Sequence, residues 1–244
     1  MLTADAEFRA TANAAFAMWQ HPPPYISYKV DVETRVPSRK LTRKISRAVE
    51  TRTEDDIAVL QDLPEGKNQL ATAFPVPPAF DALSYFQFEF LPGDDTEGPS
   101  SDIVMVADRP FFPPEPLHFG IGTASSSDVA VVVPFLRNYK ATYAPDSTDQ
   151  LAHIVMVPLK PLTINNDSTY YLRDVYVDTA SNLPTRIVYA GPAQNLTLDY
   201  GIVQNHWLIN HVRYNRTRGE VPFTTDAVYS AFAFPAEPVD GRLK

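Results

Sequence analysis

Residues 169–217 decide the fold, and they read TYYLRDVYVDTASNLPTRIVYAGPAQNLTLDYGIVQNHWLINHVRYNRT. Runs rich in β-branched and aromatic residues alternate here with short groups of turn-forming residues, a pattern typical of strands and tight turns. Strands with such short connections pair in antiparallel fashion, so the stretch predicts a meander. The predicted strands are Tyr170–Asp178, Thr185–Ala190, Asn195–Tyr200 and Trp207–Arg216.

The N-terminal part of the chain predicts one helix followed by one half-buried strand. Thr3–Gln20 carries apolar side chains at helical spacing, and Thr3 or Asp5 is suited to cap its first turn. The prolines that follow His21 end this helix. Apolar and polar residues alternate in Tyr25–Val32, so one face of this strand packs on a core and the other faces water. The apolar positions of the helix are Phe8, Ala12, Ala15, Phe16 and Trp19.

Strand signals recur over the rest of the chain and bring the expected total to about ten or eleven. No shift in composition marks a linker, and no repeat at a fixed period is present. The sequence therefore predicts a single domain over residues 1–244. The further predicted strands are Leu41–Thr53, Val129–Tyr143, His153–Leu159 and Ala227–Phe234. Ile57–Gln61, Lys67–Ala73 and Ile103–Ala107 are extended segments, not all of which are counted as strands.

Composition and charge exclude several classes of protein. The chain has 244 residues and a formal net charge of -8, which argues against nucleic acid or an anionic membrane surface as a partner. Cysteine is absent, so disulfides, cysteine nucleophiles and thiolate metal sites are excluded. The basic stretch Arg35–Arg52 is interpreted as the solvated face of a strand pair. No apolar run is long enough for a membrane helix, and no signal peptide is visible; we expect that an exported form has lost its leader.

An insertion rich in aromatic residues and proline occupies residues 74–122. Its segment Ala79–Leu91 predicts a helix that is apolar on more than one side and therefore needs cover from the sheet, a ligand or a partner. Two interpretations stay open, namely a helix that plugs the sheet as ordinary core and a lid over an apolar, lipid-sized site. The residues expected in the lid are Phe80, Leu83, Phe86 and Phe90.

The order of these elements resembles the LolA-like group of periplasmic lipoprotein carriers and its bacterial relatives. An amphipathic N-terminal helix leads directly into the alternating strand Tyr25–Val32, and residues 177–186 (VDTASNLPTR) resemble the hairpin common in that group. Residues 198–201 (LDYG) and Trp207-Leu208 resemble the strands that follow it. The resemblance implies an incomplete antiparallel β-barrel with a helical or aromatic lid or plug. It further implies an apolar concavity that holds acyl chains of lipids or lipoproteins, and it brings no catalytic residues.

The sequence offers few candidates for catalysis or metal binding. No two of the five histidines have helical i, i+4 zinc spacing, and His206 and His211, five apart in a strand, are expected to point to opposite faces. Ser125 lies outside any Gly-x-Ser-x-Gly elbow, Gly120–Gly122 opens no phosphate-binding helix, and the acidic residues at Asp94 lack a calcium-binding pattern. We therefore expect no catalytic residue, no metal site and no cofactor.

The reading that these patterns favour is a mainly β half-barrel that binds an apolar ligand in the bacterial envelope, is periplasmic or otherwise exported, and is not an enzyme. A structural or protein-interaction module with a filled core is the alternative. A third hypothesis, a hydrolase that uses carboxylates such as Asp174, Asp178 or Asp199, has the least support in the sequence. The expected ligand-binding residues are Tyr28, Val30, Val32, Phe80, Leu83, Phe86, Phe90 and Trp207.

Overall fold

A computed structural model describes most of the chain outside the insertion. The described residues are 2–18, 23–37, 40–52, 57–62, 68–71, 139–160, 172–191, 194–218 and 221–239. Several expectations lie outside these residues: the insertion 74–122 with its proposed lid, the extended segment Ile103–Ala107, and the tryptophan at position 19.

The structure contains one helix and eleven strands within the described residues. Helix α1 spans Ala4–Met18. Four strands precede the insertion: β1 (Tyr25–Val36), β2 (Leu41–Arg52), β3 (Ile57–Asp62) and β4 (Asn68–Ala71). Seven follow it: β5 (Tyr139–Tyr143), β6 (Leu151–Pro158), β7 (Leu172–Asp178), β8 (Leu183–Ala190), β9 (Gln194–Val203), β10 (His206–Arg218) and β11 (Val221–Ala233).

All eleven strands form one antiparallel sheet in the order β4-β3-β2-β1-β11-β10-β9-β8-β7-β6-β5. The N-terminal and C-terminal parts of the chain meet in the middle of the sheet, where β1 pairs with β11. Strands β4 and β5 form the two edges, and within the described residues no pairing joins them. The expected mainly β architecture, an open antiparallel half-barrel of about ten or eleven strands with an N-terminal helix, is confirmed.

Helix α1 begins with a side-chain cap and buries one face. The Thr3 hydroxyl accepts a hydrogen bond from the backbone N–H of Ala6 at 3.3 Å, so Thr3 rather than Asp5 caps the first turn. Phe8 and Ala12, which lie four residues apart on one side of the helix, are buried as predicted. The helix packs against β5, β8 and β10.

The face of the sheet against which α1 packs is called the inner face, and the opposite one the outer face. Paired residues of an antiparallel sheet point to the same face, so the printed registers assign each side chain. The pair Ile187 and Leu198, on β8 and β9, is fully buried on the inner face. The neighbouring pair Arg186 and Asp199 lies on the outer face. One apolar face and one polar face are the expected result of strand alternation.

Two of the β-bulges in the sheet, one in β10 and one in β11, change which side chains reach the inner face. In β10, Ile209 pairs with Tyr200 and His211 pairs with Asp199, so Asn210 is an extra residue. In β11, Ser230 pairs with Lys29 of β1 and Ala233 pairs with Ser27, so β11 also has one extra residue here. Bulges bend a strand and increase its twist, and an open, strongly curved sheet needs both.

The bulge in β10 also overturns the expectation that His206 and His211 point to opposite faces. Without an extra residue, side chains five apart in a strand would be on opposite sides. Because Asn210 is inserted between them, both histidines lie on the outer face, as their pairing with Val203 and Asp199 shows.

The hairpin between β9 and β10 turns later than the sequence suggested. Strand β9 continues past Gly201, which pairs with Leu208, and ends at Val203. The turn consists of Gln204 and Asn205, both with positive φ, at 48° and 66°. Two consecutive left-handed residues form the two-residue turn that matches the twist of antiparallel strands.

In the part of the chain that the structure describes, no helix has both the length and the apolar character needed to cross a bilayer.

Candidate functional site

The expected wall residues of β1 lie where the alternation placed them. Tyr28, Val30 and Val32 are buried on the inner face. The ring of Tyr28 lies 5.9 Å from the rings of both Tyr229 and Phe232 on β11. Residues 229 and 232 are three apart, so both can flank Tyr28 only because the bulge at this point reverses the alternation.

Trp207 also points to the inner face and is almost fully buried. Its indole Nε1 donates a hydrogen bond to the backbone carbonyl of Pro184 at 2.8 Å, which joins β10 to the start of β8. Its ring stacks on that of Tyr200, with centroids 4.6 Å apart and planes 17° apart. The indole is therefore held by both a hydrogen bond and a ring contact, and its orientation is fixed.

Tyr28 and Trp207 lie at the same end of the sheet. Tyr28 is near the start of β1, opposite the end of β11, and Trp207 is near the start of β10. The adjacent contact of His206 with Phe234, at 4.1 Å between ring centroids, confirms that the start of β10 meets the end of β11. The structure thus places aromatic side chains of β1, β11, β9 and β10 along one end of the inner face, which we call the aromatic end.

Of the eight expected ligand-binding residues, four lie in the described part of the chain, and all four are on the inner face. The other four, Phe80, Leu83, Phe86 and Phe90, lie outside the described residues. Their role as a lid stays a prediction.

Two buried hydroxyl groups in the layer between helix and sheet have no hydrogen-bond partner among the described residues. They are Thr11 Oγ1 of α1 and the phenol oxygen of Tyr200 on β9. Thr11 is completely buried, and Tyr200 is 6% exposed. Burial, together with the nearby charge of Asp199, raises the pKa of Tyr200 well above its usual range. Its hydroxyl consequently keeps its proton and can donate it in a hydrogen bond.

The inner layer opens to solvent next to this tyrosine. Ile202 follows Tyr200 by two residues on the same strand and pairs with Trp207, so its side chain is on the inner face. It is nevertheless 55% exposed. The inner face therefore meets solvent at Ile202, near the end of the β9–β10 hairpin.

The outer face carries a network of charges that sequence reasoning missed. His211 lies between two carboxylates, with Nδ1 3.2 Å from Asp199 and Nε2 3.3 Å from Asp226. The same two carboxylates accept hydrogen bonds from arginines: Asp199 from Arg186 at 2.5 Å, and Asp226 from Arg213 at 2.8 Å. Four neighbouring strands, β8 to β11, are thereby joined across the outer face.

A second histidine is held in the same way towards the edge of the sheet. His153 on β6 has Nδ1 2.7 Å from Asp146 and Nε2 2.9 Å from Asp174. Its ring stacks on Tyr176, with a centroid distance of 4.0 Å. Arg186 lies 5.9 Å from the centre of the Tyr176 ring, so the two histidine clusters adjoin.

These contacts account for the carboxylates of the hydrolase hypothesis. On the outer face, Asp174 contacts His153. Asp199 contacts both Arg186 and His211 on the same face. Asp178 accepts hydrogen bonds from the N–H of Ala180 and the hydroxyl of Ser181, and so shapes the turn after β7. Within the described ranges, no group of three or more histidines and carboxylates is arranged to hold a metal ion.

No protein-family model matches the chain, and a comparison with curated proteins found no match. The chain is similar to solved structures. A LolA superfamily protein from Nitrosomonas europaea is 9% identical, with 98% of this chain and 96% of that chain covered and a TM-score of 0.40. A candidate outer membrane lipoprotein-sorting domain from Vibrio parahaemolyticus is 9% identical, with 96% and 95% covered and a TM-score of 0.47. A DUF1329 family protein from Desulfovibrio piger is 12% identical, with 97% and 96% covered and a TM-score of 0.42. The first of these carries the name of the group that the hairpin residues resemble.

Proposed function

We propose that this protein binds and carries an apolar ligand, a lipid or the acyl chain of a lipoprotein, in the bacterial cell envelope, and that it catalyses no reaction. The observation that carries the proposal is the inner face of the sheet. It is apolar along its strands, and aromatic residues line one of its ends. Sites for small apolar ligands are mostly apolar and aromatic, with a few polar groups that fix orientation.

The position of α1 supports a site on this face. The helix packs on β5, β8 and β10, while Tyr28, Val30 and Val32 belong to β1, on the other side of β11. An extended acyl chain would lie between the helix-covered strands and the wall formed by β1. The proposed lid, with Phe86 and Phe90, would close this space in the bound state.

The polar network of the outer face fits the same proposal. Its carboxylates are paired with histidines and arginines, as expected of a face that stabilises the sheet in water rather than one that performs acid–base chemistry. The binding side and the solvated side of the sheet are then separate, which is the usual arrangement for an antiparallel sheet with one apolar face.

The first test is organic extraction of the purified protein followed by mass spectrometry, with native mass spectrometry of the intact sample. We expect a lipid in stoichiometric amount, or its uptake when the protein is incubated with phospholipid vesicles. A protein that carries no lipid and takes none up contradicts the proposal and favours an interaction module with a filled core.

The lid is tested separately by the double variant Phe86→Ser/Phe90→Ser, assayed for displacement of the fluorescent fatty acid cis-parinaric acid. Val228→Ser is a matched control, since Val228 is an exposed apolar residue that pairs with His211 on the outer face. We expect weaker binding for the lid variant and unchanged binding for the control. Equal binding by a folded lid variant would show that these phenylalanines do not contact the ligand.

A further inference from the structure

The hydroxyls of Thr11 and Tyr200, which have no partner among the described residues, need an explanation. A buried hydroxyl without a hydrogen bond costs about 1–3 kcal/mol, so native structures leave few of them. A threonine inside a helix often satisfies its hydroxyl with the carbonyl four residues earlier. Thr11 makes no such bond within the described residues, although it is completely buried on the side of α1 that faces the sheet.

On the sheet, the buried hydroxyl of Tyr200 also lacks a hydrogen-bond partner among the described residues. Its ring is fixed by the stack on Trp207, and Trp207 is itself held by Pro184, so the phenol cannot turn away without breaking this arrangement. Its hydroxyl is buried, protonated and unpartnered in the part of the chain that is described. Next to it, Ile202 opens the inner layer to solvent.

We propose that the hydroxyls of Tyr200 and Thr11 donate hydrogen bonds to the oxygen atoms of an acyl group, the ester carbonyl or carboxyl at the head of a bound lipid chain. The inference rests on the proposed function and adds the polar end of the ligand to it. The hydrocarbon chain runs along the inner face, while its acyl oxygen lies at the aromatic end, near the opening at Ile202.

This assignment follows from the chemistry of the groups. Both hydroxyls are neutral donors, and an acyl oxygen is an acceptor that carries no donor of its own when esterified. In a layer otherwise lined by apolar side chains, a hydrogen bond between a buried donor and the acyl oxygen removes the free-energy cost of leaving both groups unpaired. A few polar groups in an apolar site are the usual means by which the orientation of a ligand is fixed.

The experiment compares the binding of three probes with the same chain length: myristate, its methyl ester and tetradecane. The proteins are the full chain, Tyr200→Phe and Thr11→Val, with Tyr176→Phe as the matched control because Tyr176 lies on the outer face against His153. Loss of one neutral hydrogen bond corresponds to about a 2- to 12-fold weaker affinity. We expect this loss for the methyl ester or the acid in both test variants, no change for tetradecane, and no change for the control.

The outcomes separate the inference from the proposed function. If the full chain binds none of the three probes, the proposed function fails. If it binds them and both test variants bind the ester and the acid as tightly as the full chain does, the function stands and the inference is overturned. A loss for the ester alone identifies an esterified lipid, and a loss for the acid alone identifies a free fatty acid.

Folding of the variants is an independent readout. Because neither hydroxyl has a partner among the described residues, Tyr200→Phe and Thr11→Val are expected to unfold at the same urea concentration as the full chain or a higher one. Thr11→Ser, which keeps the hydroxyl, is expected to retain the affinity for the ester. Destabilisation of both apolar variants would show that the hydroxyls have structural partners, which also overturns the inference.

Discussion

The ring of Tyr200 stacks on the indole of Trp207, with centroids 4.6 Å apart and planes 17° apart. The two residues lie on β9 and β10, either side of the Gln204–Asn205 turn. Since Trp207 also donates to the carbonyl of Pro184, three strands meet at this contact. The contact therefore fixes both the end of the β9–β10 hairpin and the position of the Tyr200 hydroxyl.

Trp207→Phe is expected to lower the free energy of unfolding by about 2–4 kcal/mol, measured by urea denaturation. The substitution leaves a cavity and removes the donor from the buried carbonyl of Pro184. Ile202→Val, a small change at the exposed residue paired with Trp207, is the control and should change stability by less than about 0.5 kcal/mol. A loss for Trp207→Phe as small as that of the control would mean that the hydrogen bond to Pro184 contributes nothing.

His206 predicts a dependence of stability on pH. Burial lowers the pKa of His206 below its ordinary value of 6.5. The unfolded chain therefore binds a proton at His206 more readily than the folded chain does. The contribution of neutral His206 to the free energy of unfolding is fully present above pH 6.5 and is lost as the pH falls towards the pKa of the folded state. The change in unfolding free energy between pH 7.5 and about 5 should be smaller in His206→Gln than in the unmodified chain. Parallel curves for the two proteins would contradict the prediction.

Asp199 is expected to matter more than its partner Arg186. Asp199 accepts from Arg186 at 2.5 Å and lies 3.2 Å from Nδ1 of His211, so Asp199→Asn weakens two contacts. The Arg186 side chain is 51% exposed, and exposed pairs contribute about 0–1 kcal/mol. We expect Arg186→Ala to cost less than about 1 kcal/mol and Asp199→Asn about 1–2 kcal/mol, with both losses reduced in high salt. A larger loss for Arg186→Ala would reverse this order.

The elements that depend on local pattern could be predicted from the sequence. Helix α1 and strand β1 follow from the spacing of Phe8 and Ala12 and from the alternation around Tyr28, because a single amphipathic segment carries this signal by itself. The strands of the meander were found for the same reason. Their ends shifted by a few residues: β9 continues past Gly201, where a turn-forming residue type lies inside a strand.

The features that depend on pairing between strands could not be predicted. The extra residues, Asn210 and one near Ala231, are not themselves glycines, yet they decide which side chains face inwards. The clusters around His153 and His211 join residues up to 21 positions apart, so only the register reveals them. The wall residues of the candidate site could be placed from alternation, whereas the buried hydroxyl of Tyr200 becomes apparent only once its neighbours are known.

Ala231 provides a test of the bulge that brings Tyr229 and Phe232 together around Tyr28. Its φ is 55°, in the left-handed region that glycine adopts without strain and that costs other residues about 1 kcal/mol. Ala231→Gly is expected to raise the free energy of unfolding by about 0.5 kcal/mol, and Ala231→Val, with a β-branched side chain, to lower it by about 1–2 kcal/mol. Both are measured by urea denaturation, with Ala233→Gly as the control, since Ala233 is exposed on the same strand and pairs with Ser27. In the control, glycine should destabilise the strand. If Ala233→Gly also raises the free energy of unfolding, or if Ala231→Gly does not raise it, then strain from the left-handed conformation at Ala231 is not the explanation.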